Sequence, residues 1–480
     1  MRLFFKSTEK SDMSLPHYMA YVAPSMALAF LMGPIGILQG IYAKYFGVAL
    51  TTIAIVLLIS RLFDAITDPI IGCWSDRHYA KTGTRKPFVV AGGLLFIISS
   101  YFLYVPVDIT TLNADTTVNT TYFLLWFILF YLAWTLIEIP HLAWGAELAT
   151  NTKVKNKLFS FRASSTLVGT LIFYLVPLMP FFPSDEFTPQ TLQWTAISAG
   201  LLMLLALYYC LKVIPDGAAP NTGKANAHSV WELRYEILAN KSFLIFIGAF
   251  CLYGLAGGMW ITLLFIMVDT YLNLGHHFAL ITAFSLSLSI VSLGLWYWLA
   301  NRFSKRLAWG LGVFCYASAT GITGFLTPAQ TGVLSLTAVM LLAYAGSASV
   351  LALSPSLLAD IIDYGRWKFG TDHSATYFSL YTLVMKTAAA IGGSIGLGIA
   401  GGFGFEPSST EHSAEAVVGL RLAASWLPTT VAVFAVCFMA LVPLTTRHSH
   451  LIRCRLERRQ SNPRKFHQVK QTQTHAFYTR

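Results

Sequence analysis

Twelve long apolar stretches recur along this chain, and they constrain its fold more than any other feature. They lie near residues 18–44, 49–73, 87–107, 121–148, 159–182, 191–214, 242–268, 276–300, 307–327, 331–359, 374–402 and 419–445. A helix needs about 20 apolar residues to cross the hydrocarbon of a bilayer. The runs are continuous and lack the alternation of a membrane β-barrel. The pattern therefore predicts an all-α integral membrane protein with twelve transmembrane helices.

The composition argues against a water-soluble protein. Only 11% of the 480 residues are charged and 55% are hydrophobic, whereas a soluble domain carries about 25% charged residues. The six cysteines are scattered without CxxC spacing, so neither a disulfide nor a metal cluster is indicated. No HExxH motif occurs. We therefore expect no enzymatic activity and no cofactor, and a membrane-embedded enzyme or sensor is a less favoured alternative.

The loops between the apolar stretches differ in charge according to the side on which they fall. Loops on one side carry basic residues: Arg77, Lys81, Arg85, Lys86, Lys153, Lys155, Lys157, Arg302, Lys305, Arg306, Arg366 and Lys368. The opposite loops, DITTLNADTTVNTT, PSDEFTPQ and FEPSSTEHSAEA, are acidic or neutral, and Lys44 is the main exception. Cytoplasmic loops are enriched in Lys and Arg. We therefore expect a multi-pass protein of a bacterial inner membrane, with both termini in the cytoplasm.

The longest cytoplasmic connection divides the twelve spans into six and six. We predict a cytoplasmic N-terminus at 1–17, a first half at 18–214, a central loop at 215–241, a second half at 242–445 and a basic tail at 446–480. This layout, with two parallel halves, is typical of transporters that rock around a site at the membrane midplane. The basic tail could contact anionic membrane lipid, but a solvated and disordered end is the favoured interpretation. Because the basic residues are divided among loops, nucleic acid is not an expected partner.

Ionisable residues inside the second span form a polar patch. In RLFDAITDPIIG, Asp64 and Asp68 are four residues apart and share one helix face, with Arg61 and Thr67 beside them. Charges at this depth are costly and usually line a cavity or the bundle interior. Carboxylate and hydroxyl oxygens suit Na⁺ or an exchangeable proton, so Asp64 and Asp68 are a candidate Na⁺ site. The alternative is an interfacial position in which these aspartates pair with Arg61 or Arg162.

Two other spans contribute candidate partners for these aspartates. TLIEIPHLAW places Thr135 one turn before Glu138, and YFSLYTLVMK places Lys386 at the end of a polar stripe. Both Glu138 and Lys386 are flanked by many apolar residues, which favours a position inside the bundle. Lys386 could alternatively be a structural counter-ion that does not touch the solute.

Several separate motifs resemble those of the major facilitator superfamily. RLFDAITDPIIGCWSDR followed by GTRKPF, TLIEIPHLAWGAEL, and LLADIIDYGRWKFG followed by YFSLYTLVMK are similar to segments of the glycoside–pentoside–hexuronide:cation symporters, the melibiose permease-like family. The resemblance implies the major facilitator fold and cation-coupled symport of a sugar or glycoside.

The resemblance also implies roles for individual residues. Asp64, Asp68, Thr67 and Thr135 match the cation site of the family, and Glu138, Arg162 and Lys386 match its sugar site. The first span, YVAPSMALAFLMGPIGILQGIYAKYFG, has no acidic residue where the family has an aspartate that contacts the sugar. A complete galactoside site is therefore not expected.

These observations together predict a secondary transporter that works by alternating access. A cation, Na⁺ or H⁺, and a small polar solute are the expected partners. The loop residues Asp76, Arg77, Arg85 and Lys86 are expected to pair at the cytoplasmic face as a gate. Transport of a lysolipid or another amphipathic solute on the same fold is the alternative.

Overall fold

The computed structural model describes residues 13–106, 118–148, 152–180, 182–216, 237–369, 374–409, 411–443, 451, 452 and 455. Most of the predicted central loop and tail lie outside these ranges. Within them, the secondary structure is helical and contains no strand.

The first half contains seven described α-helices. Their bounds are α1 Leu15–Met32, α2 Leu38–Tyr45, α3 Leu50–Thr82, α4 Lys86–Tyr104, α5 Thr120–Leu148, α6 Thr152–Leu175 and α7 Pro189–Val213. α1 and α2 together make one span, which is interrupted by a 3-10 turn at Gly33–Gly36. Pro34 in this turn has no backbone amide to donate, so one helical hydrogen bond is lost there.

The second half also contains seven described α-helices. Their bounds are α8 Lys241–Ile266, α9 Gly275–Arg302, α10 Lys305–Thr323, α11 Val333–Phe369, α12 Ser374–Gly402, α13 Ala414–Arg421 and α14 Leu427–Ala440. One π-helical turn, Met267–Tyr271, extends α8, and a second, Leu422–Trp426, joins α13 to α14 into one span. The described residues thus form twelve spans, six in each half.

Eleven described helical segments are long and apolar enough to cross a membrane. The remaining span, α10, begins with Lys305 and Arg306 and is rich in small polar residues, which lowers its mean hydropathy. It packs against α9, α11 and α14, and it therefore completes the bundle.

Two helices are longer than the apolar stretches that predicted them. The second apolar stretch ends near residue 73, but α3 continues to Thr82, and α11 continues ten residues beyond 359 to Phe369. Nothing in these polar extensions breaks a helix until Gly83, which ends α3 with a φ of +74°. Such a left-handed conformation favours glycine. The extensions carry the polar and basic residues of the loop region.

The two halves meet along α3 and α12, and also along α6 and α9. Within the second half, α8 and α12 pack with their backbones in close contact. A Cβ added at Gly258 would lie 1.8 Å from the Ala389 carbonyl oxygen, and one at Gly392 would lie 2.1 Å from that of Leu255. Glycine is therefore required at this helix crossing.

The bundle has two ends that differ in how the halves contact each other. We call the end that holds Leu15 and the connection 83–85 the terminal face, and the end that holds the connections 46–49 and 272–274 the distal face. At the distal face, Lys44 Nζ of the first half lies 2.8 Å from Asp269 Oδ2 of the second. Phe187 of the first half contacts the rings of Phe265 and Phe278. The halves are thus held together at the distal face.

Candidate functional site

Arg61 and Asp64 form an ion pair on the inward face of α3. Arg61 Nη1 donates to Asp64 Oδ2 at 2.9 Å, and its guanidinium lies 3.9 Å from the ring centre of Tyr131 on α5. The Asp64 residue is only 8% exposed. The predicted pairing between Asp64 and Arg61 is thus present, but it lies inside the bundle.

Asp68 joins three helices. Its Oδ1 accepts a 2.8 Å hydrogen bond from Thr135 on α5, and its Oδ2 accepts one of 3.1 Å from Lys386 on α12. The Lys386 ammonium also lies 4.3 Å from the ring centre of Trp134. Because α12 belongs to the second half, the Asp68–Lys386 pair links the two halves near the middle of their helices.

Glu138 and Arg162 form a second ion pair between α5 and α6. Arg162 Nη2 lies 2.6 Å from both Glu138 Oε1 and Oε2. The two side chains are 17% and 14% exposed, so this pair faces a space inside the bundle. Glu138 therefore pairs with Arg162 and is not part of the Asp64–Asp68 cluster.

A cavity of about 350 Å³ lies beside the Glu138–Arg162 pair, and we call it the charged cavity. Its walls come from the first half. They are Ser25, Leu28, Ala29, Met32, Gly33, Trp134, Glu138, Arg162, Thr166 and Thr170. A space of this size, with apolar walls and a few convergent polar groups, is typical of a small-molecule site.

Several buried polar atoms in this region have no hydrogen-bond partner among the described residues. They are Asp64 Oδ1, Arg61 Nε and Arg162 Nε. Buried polar groups are normally paired, so these atoms are suited to contact a bound ion or solute. In the part of the chain that the structure describes, no three His, Cys, Asp or Glu residues cluster as a metal site. The ligands of a cation here would be two carboxylates at most, together with hydroxyl oxygens.

The two threonines predicted for the cation site differ in their contacts. The Thr135 hydroxyl donates to Asp68, whereas the Thr67 hydroxyl donates to the Phe63 carbonyl within its own helix at 3.1 Å. Thr135 thus orients the carboxylate directly, whereas the Thr67 proton is used within its own helix and only its oxygen lone pairs are left for a ligand.

Arg85 is the centre of the predicted gate. It donates to Ser75 at 2.8 Å, to Asp76 at 2.7 Å and to Glu147 at 2.9 Å. Burial alone lowers the pKa of its guanidinium, but hydrogen bonds with Glu147 and Asp76 outweigh burial and hold that pKa above its ordinary value. These contacts lie within the first half.

The other two predicted gate residues differ from Arg85 in their contacts. Lys86 lies 3.5 Å from Asp216, which follows α7 at the start of the predicted central loop. Arg77 is exposed. The structure therefore brings Asp76, Arg85 and Lys86 to the terminal face, and none of these contacts reaches a helix of the second half.

Three contacts were not predicted from the sequence: Lys44 with Asp269, Arg61 with Tyr131, and Lys386 with Trp134. The Lys44–Asp269 pair at the distal face was missed because Asp269 falls just beyond the apolar stretch 242–268. Lys44 did give a signal, since it departs from the charge asymmetry of the loops. Tyr131 and Trp134 could have been found by helical spacing, because they lie one or two turns before Glu138.

Known proteins share this arrangement of helices. Residues 14–446 match the family model of MFS/sugar transport proteins. The chain is similar to the glucuronide carrier protein homolog of Escherichia coli (strain K12), with 24% identity over 87% of this chain and 90% of that protein. It is also similar to the isoprimeverose transporter of Lactiplantibacillus pentosus, with 21% identity over 88% of this chain and 85% of that protein.

Solved structures show the same fold. The crystal structure of a D-xylose–proton symporter superposes with a TM-score of 0.63 at 16% sequence identity, covering 90% of this chain and 98% of that one. The family match covers nearly all of the described helices, and the two-half bundle agrees with it. This chain is therefore a member of the MFS/sugar transport protein family, with the major facilitator fold.

Proposed function

We propose that this protein couples the entry of Na⁺ or H⁺ to the uptake of a sugar or glycoside across a bacterial inner membrane. Both termini would lie in the cytoplasm, so the terminal face would be the cytoplasmic one. The observation that carries the proposal is the pair of adjoining polar sites in the first half. One site is rich in carboxylates, and the other lies beside a cavity of sugar size.

The cation would bind between Asp64 and Asp68. Asp64 Oδ1 is buried and lacks a donor among the described residues, so a cation or a proton would satisfy it. Thr135 holds the neighbouring Asp68 carboxylate at 2.8 Å. Hard oxygen ligands of this kind suit Na⁺, and a shared proton would serve equally for H⁺.

The sugar would bind in the charged cavity. Glu138 and Arg162 supply a carboxylate acceptor and guanidinium donors, which match sugar hydroxyls. Trp134 adds a flat aromatic wall, on which the apolar face of a sugar ring can stack. The relatives named as carriers of a glucuronide and of isoprimeverose support a sugar-like solute.

Coupling would arise because Lys386 connects the two sites: it pairs with Asp68 and lies over Trp134 of the charged cavity. Three acids, Asp64, Asp68 and Glu138, and three bases, Arg61, Arg162 and Lys386, surround the centre. A cation at Asp68 would compete with Lys386 for the carboxylate and release this link between the halves. Ligands that favour the same state of the protein strengthen one another's binding by an equal free energy.

Alternating access would then open and close the two faces in turn. The Lys44–Asp269 pair holds the distal face together, which supports a state open toward the terminal face. In the opposite state, Asp76, Arg77, Arg85 and Lys86 would form the gate at the terminal face.

The test is gradient-driven uptake into proteoliposomes. Labelled xylosides, glucosides and glucuronides are offered to wild type, Asp64→Asn and Asp185→Asn. Asp185→Asn is the matched control, because Asp185 is an exposed carboxylate in the distal loop. We expect wild type and Asp185→Asn to accumulate one of these sugars when a Na⁺ or H⁺ gradient is imposed, and Asp64→Asn to lose that accumulation. Equal accumulation by Asp64→Asn would refute the cation site, and no uptake by wild type would refute the proposed function.

A further inference from the structure

A second cavity, of about 370 Å³, lies in the second half, and we call it the aromatic cavity. Its walls include the rings of Phe250, Tyr253, Tyr344 and Tyr381. No charged side chain lines it among the described residues. Its chemistry therefore differs from that of the charged cavity, although the two volumes are similar.

The serine hydroxyls of the aromatic cavity are already engaged. Ser289 donates to the Leu286 carbonyl at 2.7 Å, and Ser347 donates to the Tyr344 carbonyl at 2.9 Å. Both donors are thus used within their own helices. The tyrosine hydroxyls also have partners: Tyr253 bonds with Ser347, Tyr344 with Tyr174 and Tyr381 with Ser354. With its hydroxyls engaged in this way, the cavity satisfies the buried hydroxyls of a sugar poorly, whereas an apolar group would lose little.

The two cavities adjoin across the interface between the halves. Leu167 on α6 lines the aromatic cavity, and the preceding residue, Thr166, lines the charged one. On the other side, Met385 lines the aromatic cavity, and the next residue, Lys386, lies over Trp134 of the charged cavity. One elongated molecule that reached from one cavity to the other would need this proximity.

We propose that the aromatic cavity binds the apolar, planar aglycone of a glycoside whose sugar lies in the charged cavity. This inference rests on the proposed function and narrows its substrate class to aryl glycosides. The four aromatic rings favour a planar aromatic group, because ring–ring contacts add to the gain from burying apolar area. The volume suits a ring system of drug-like size.

Gly257 provides a way to fill the aromatic cavity without disturbing its walls. A Cβ added there would meet no atom within 4 Å, whereas one at the neighbouring Gly258 would clash with the Ala389 backbone. Leucine is also a better helix former than glycine, so Gly257→Leu is expected to fold. Gly294→Leu on α9 is the matched control, since Gly294 is exposed and a Cβ there also meets nothing within 4 Å.

The experiment measures competition with uptake of a labelled methyl glycoside in proteoliposomes. The competitors are unlabelled methyl, cyclohexyl and phenyl glycosides of the same sugar, tested for xylose, glucose and glucuronic acid. In wild type we expect the phenyl glycoside to compete about tenfold better than the methyl glycoside because it buries more apolar area, and better than the cyclohexyl one. Gly257→Leu should lose this advantage but keep methyl glycoside uptake, and Gly294→Leu should behave as wild type.

Two results would overturn the inference while leaving the proposed function intact. One is equal competition by methyl and phenyl glycosides in wild type. The other is an undiminished phenyl advantage in Gly257→Leu. If a lysophospholipid competed in wild type and not in Gly257→Leu, while the phenyl glycoside gained nothing, the cavity would belong to an acyl chain and the inference would be wrong. Failure of every glycoside to enter would instead refute the proposed function.

Discussion

The two cavities of this protein have nearly equal volumes, about 350 and 370 Å³, but opposite chemistry. The one in the first half has an ion pair in its wall, and the one in the second half has aromatic rings. Under the proposals above, two halves of similar architecture would divide their roles. The first half would recognise charge and hydroxyls, and the second would offer a surface for apolar atoms.

Lys386 is the exception to this division. It is a charge of the second half, and its partner, Asp68, lies in the first. Charges inside a membrane protein are costly unless they are paired, so under the proposed function this pair would couple the position of one half to the ionisation of the other. Under the proposed function, this link between the halves would respond to a bound cation.

The largest expected effect on uptake comes from removing a charge from the wall of the charged cavity. Arg162→Gln leaves Glu138 without its 2.6 Å partner, and breaking a buried ion pair costs about 3–5 kcal/mol. We expect uptake to fall at least about a hundredfold, which corresponds to roughly 2.7 kcal/mol. Initial uptake rates measure the loss of transport, and thermal unfolding in detergent measures the loss of stability.

The double variant Arg162→Gln with Glu138→Gln separates folding from recognition. It should recover thermal stability, since no unpaired charge remains, but it should not recover uptake. Recovery of uptake by the neutral pair would show that the charges of the first cavity do not recognise the solute.

The next effect tests the link between the halves. Lys386→Ala removes the 3.1 Å contact to Asp68, so the cation would no longer compete with an internal partner. We expect solute exchange without a gradient to persist, while gradient-driven accumulation falls about tenfold. Counterflow and accumulation assays on the same vesicles separate these two activities. Equal loss of both activities would contradict a role for Lys386 in coupling.

A smaller effect is expected at the distal face. Lys44→Ala leaves the Asp269 carboxylate, whose side chain is 2% exposed, without its cross-half partner. The lost contact should destabilise the closed distal face by roughly 1–3 kcal/mol. Labelling of a cysteine introduced on that face should therefore become faster.

Lys305→Ala is the matched control for this prediction. Lys305 forms a pair of the same length, 2.8 Å, with Asp360 inside the second half. Its removal should not change labelling at the distal face. Equal acceleration in both variants would contradict a role for Lys44 in holding the halves together.

The smallest effects test which of two threonines contributes to the cation site. Thr135→Val removes a hydroxyl that donates to Asp68 across helices, and should weaken the apparent cation affinity about tenfold. Thr67→Val removes a hydroxyl already bonded to Phe63 in its own helix. It should change the affinity by about twofold or less. Cation titrations of uptake compare the two variants, and a larger effect of Thr67→Val would reverse the assigned roles.

Much of the fold follows from hydropathy, because lipid imposes a simple rule on sequence. Every backbone polar group in the hydrocarbon needs a partner, so each apolar stretch of sufficient length becomes a helix. This rule predicted the spans, and the motif resemblance predicted the family fold. It predicted the ends of α3 and α11 less well, because a helix can continue into polar sequence until a residue such as Gly83 stops it.

The candidate site was predictable only in part. Helical spacing correctly placed Asp64, near Arg61, and Asp68 on one inward face, and apolar flanks placed Glu138 and Lys386 in the bundle. Their roles in binding stay predictions. Spacing could not pair Glu138 with Arg162 or Lys44 with Asp269, because these partners lie on different helices. Which helices meet depends on packing, and close crossings such as α8 with α12 depend on glycines at particular positions.

The sequence by itself determined that this chain spans a membrane, how many times it does so, and that carboxylates lie within the spans. These properties depend on local composition and on helical periodicity, which are present in one dimension. Only the tertiary structure decided that Lys386 reaches Asp68, that Lys44 joins the halves at the distal face, and that an aromatic cavity adjoins a charged one. Those properties arise where side chains from distant segments meet, and the packing of the helices in three dimensions sets which segments do so.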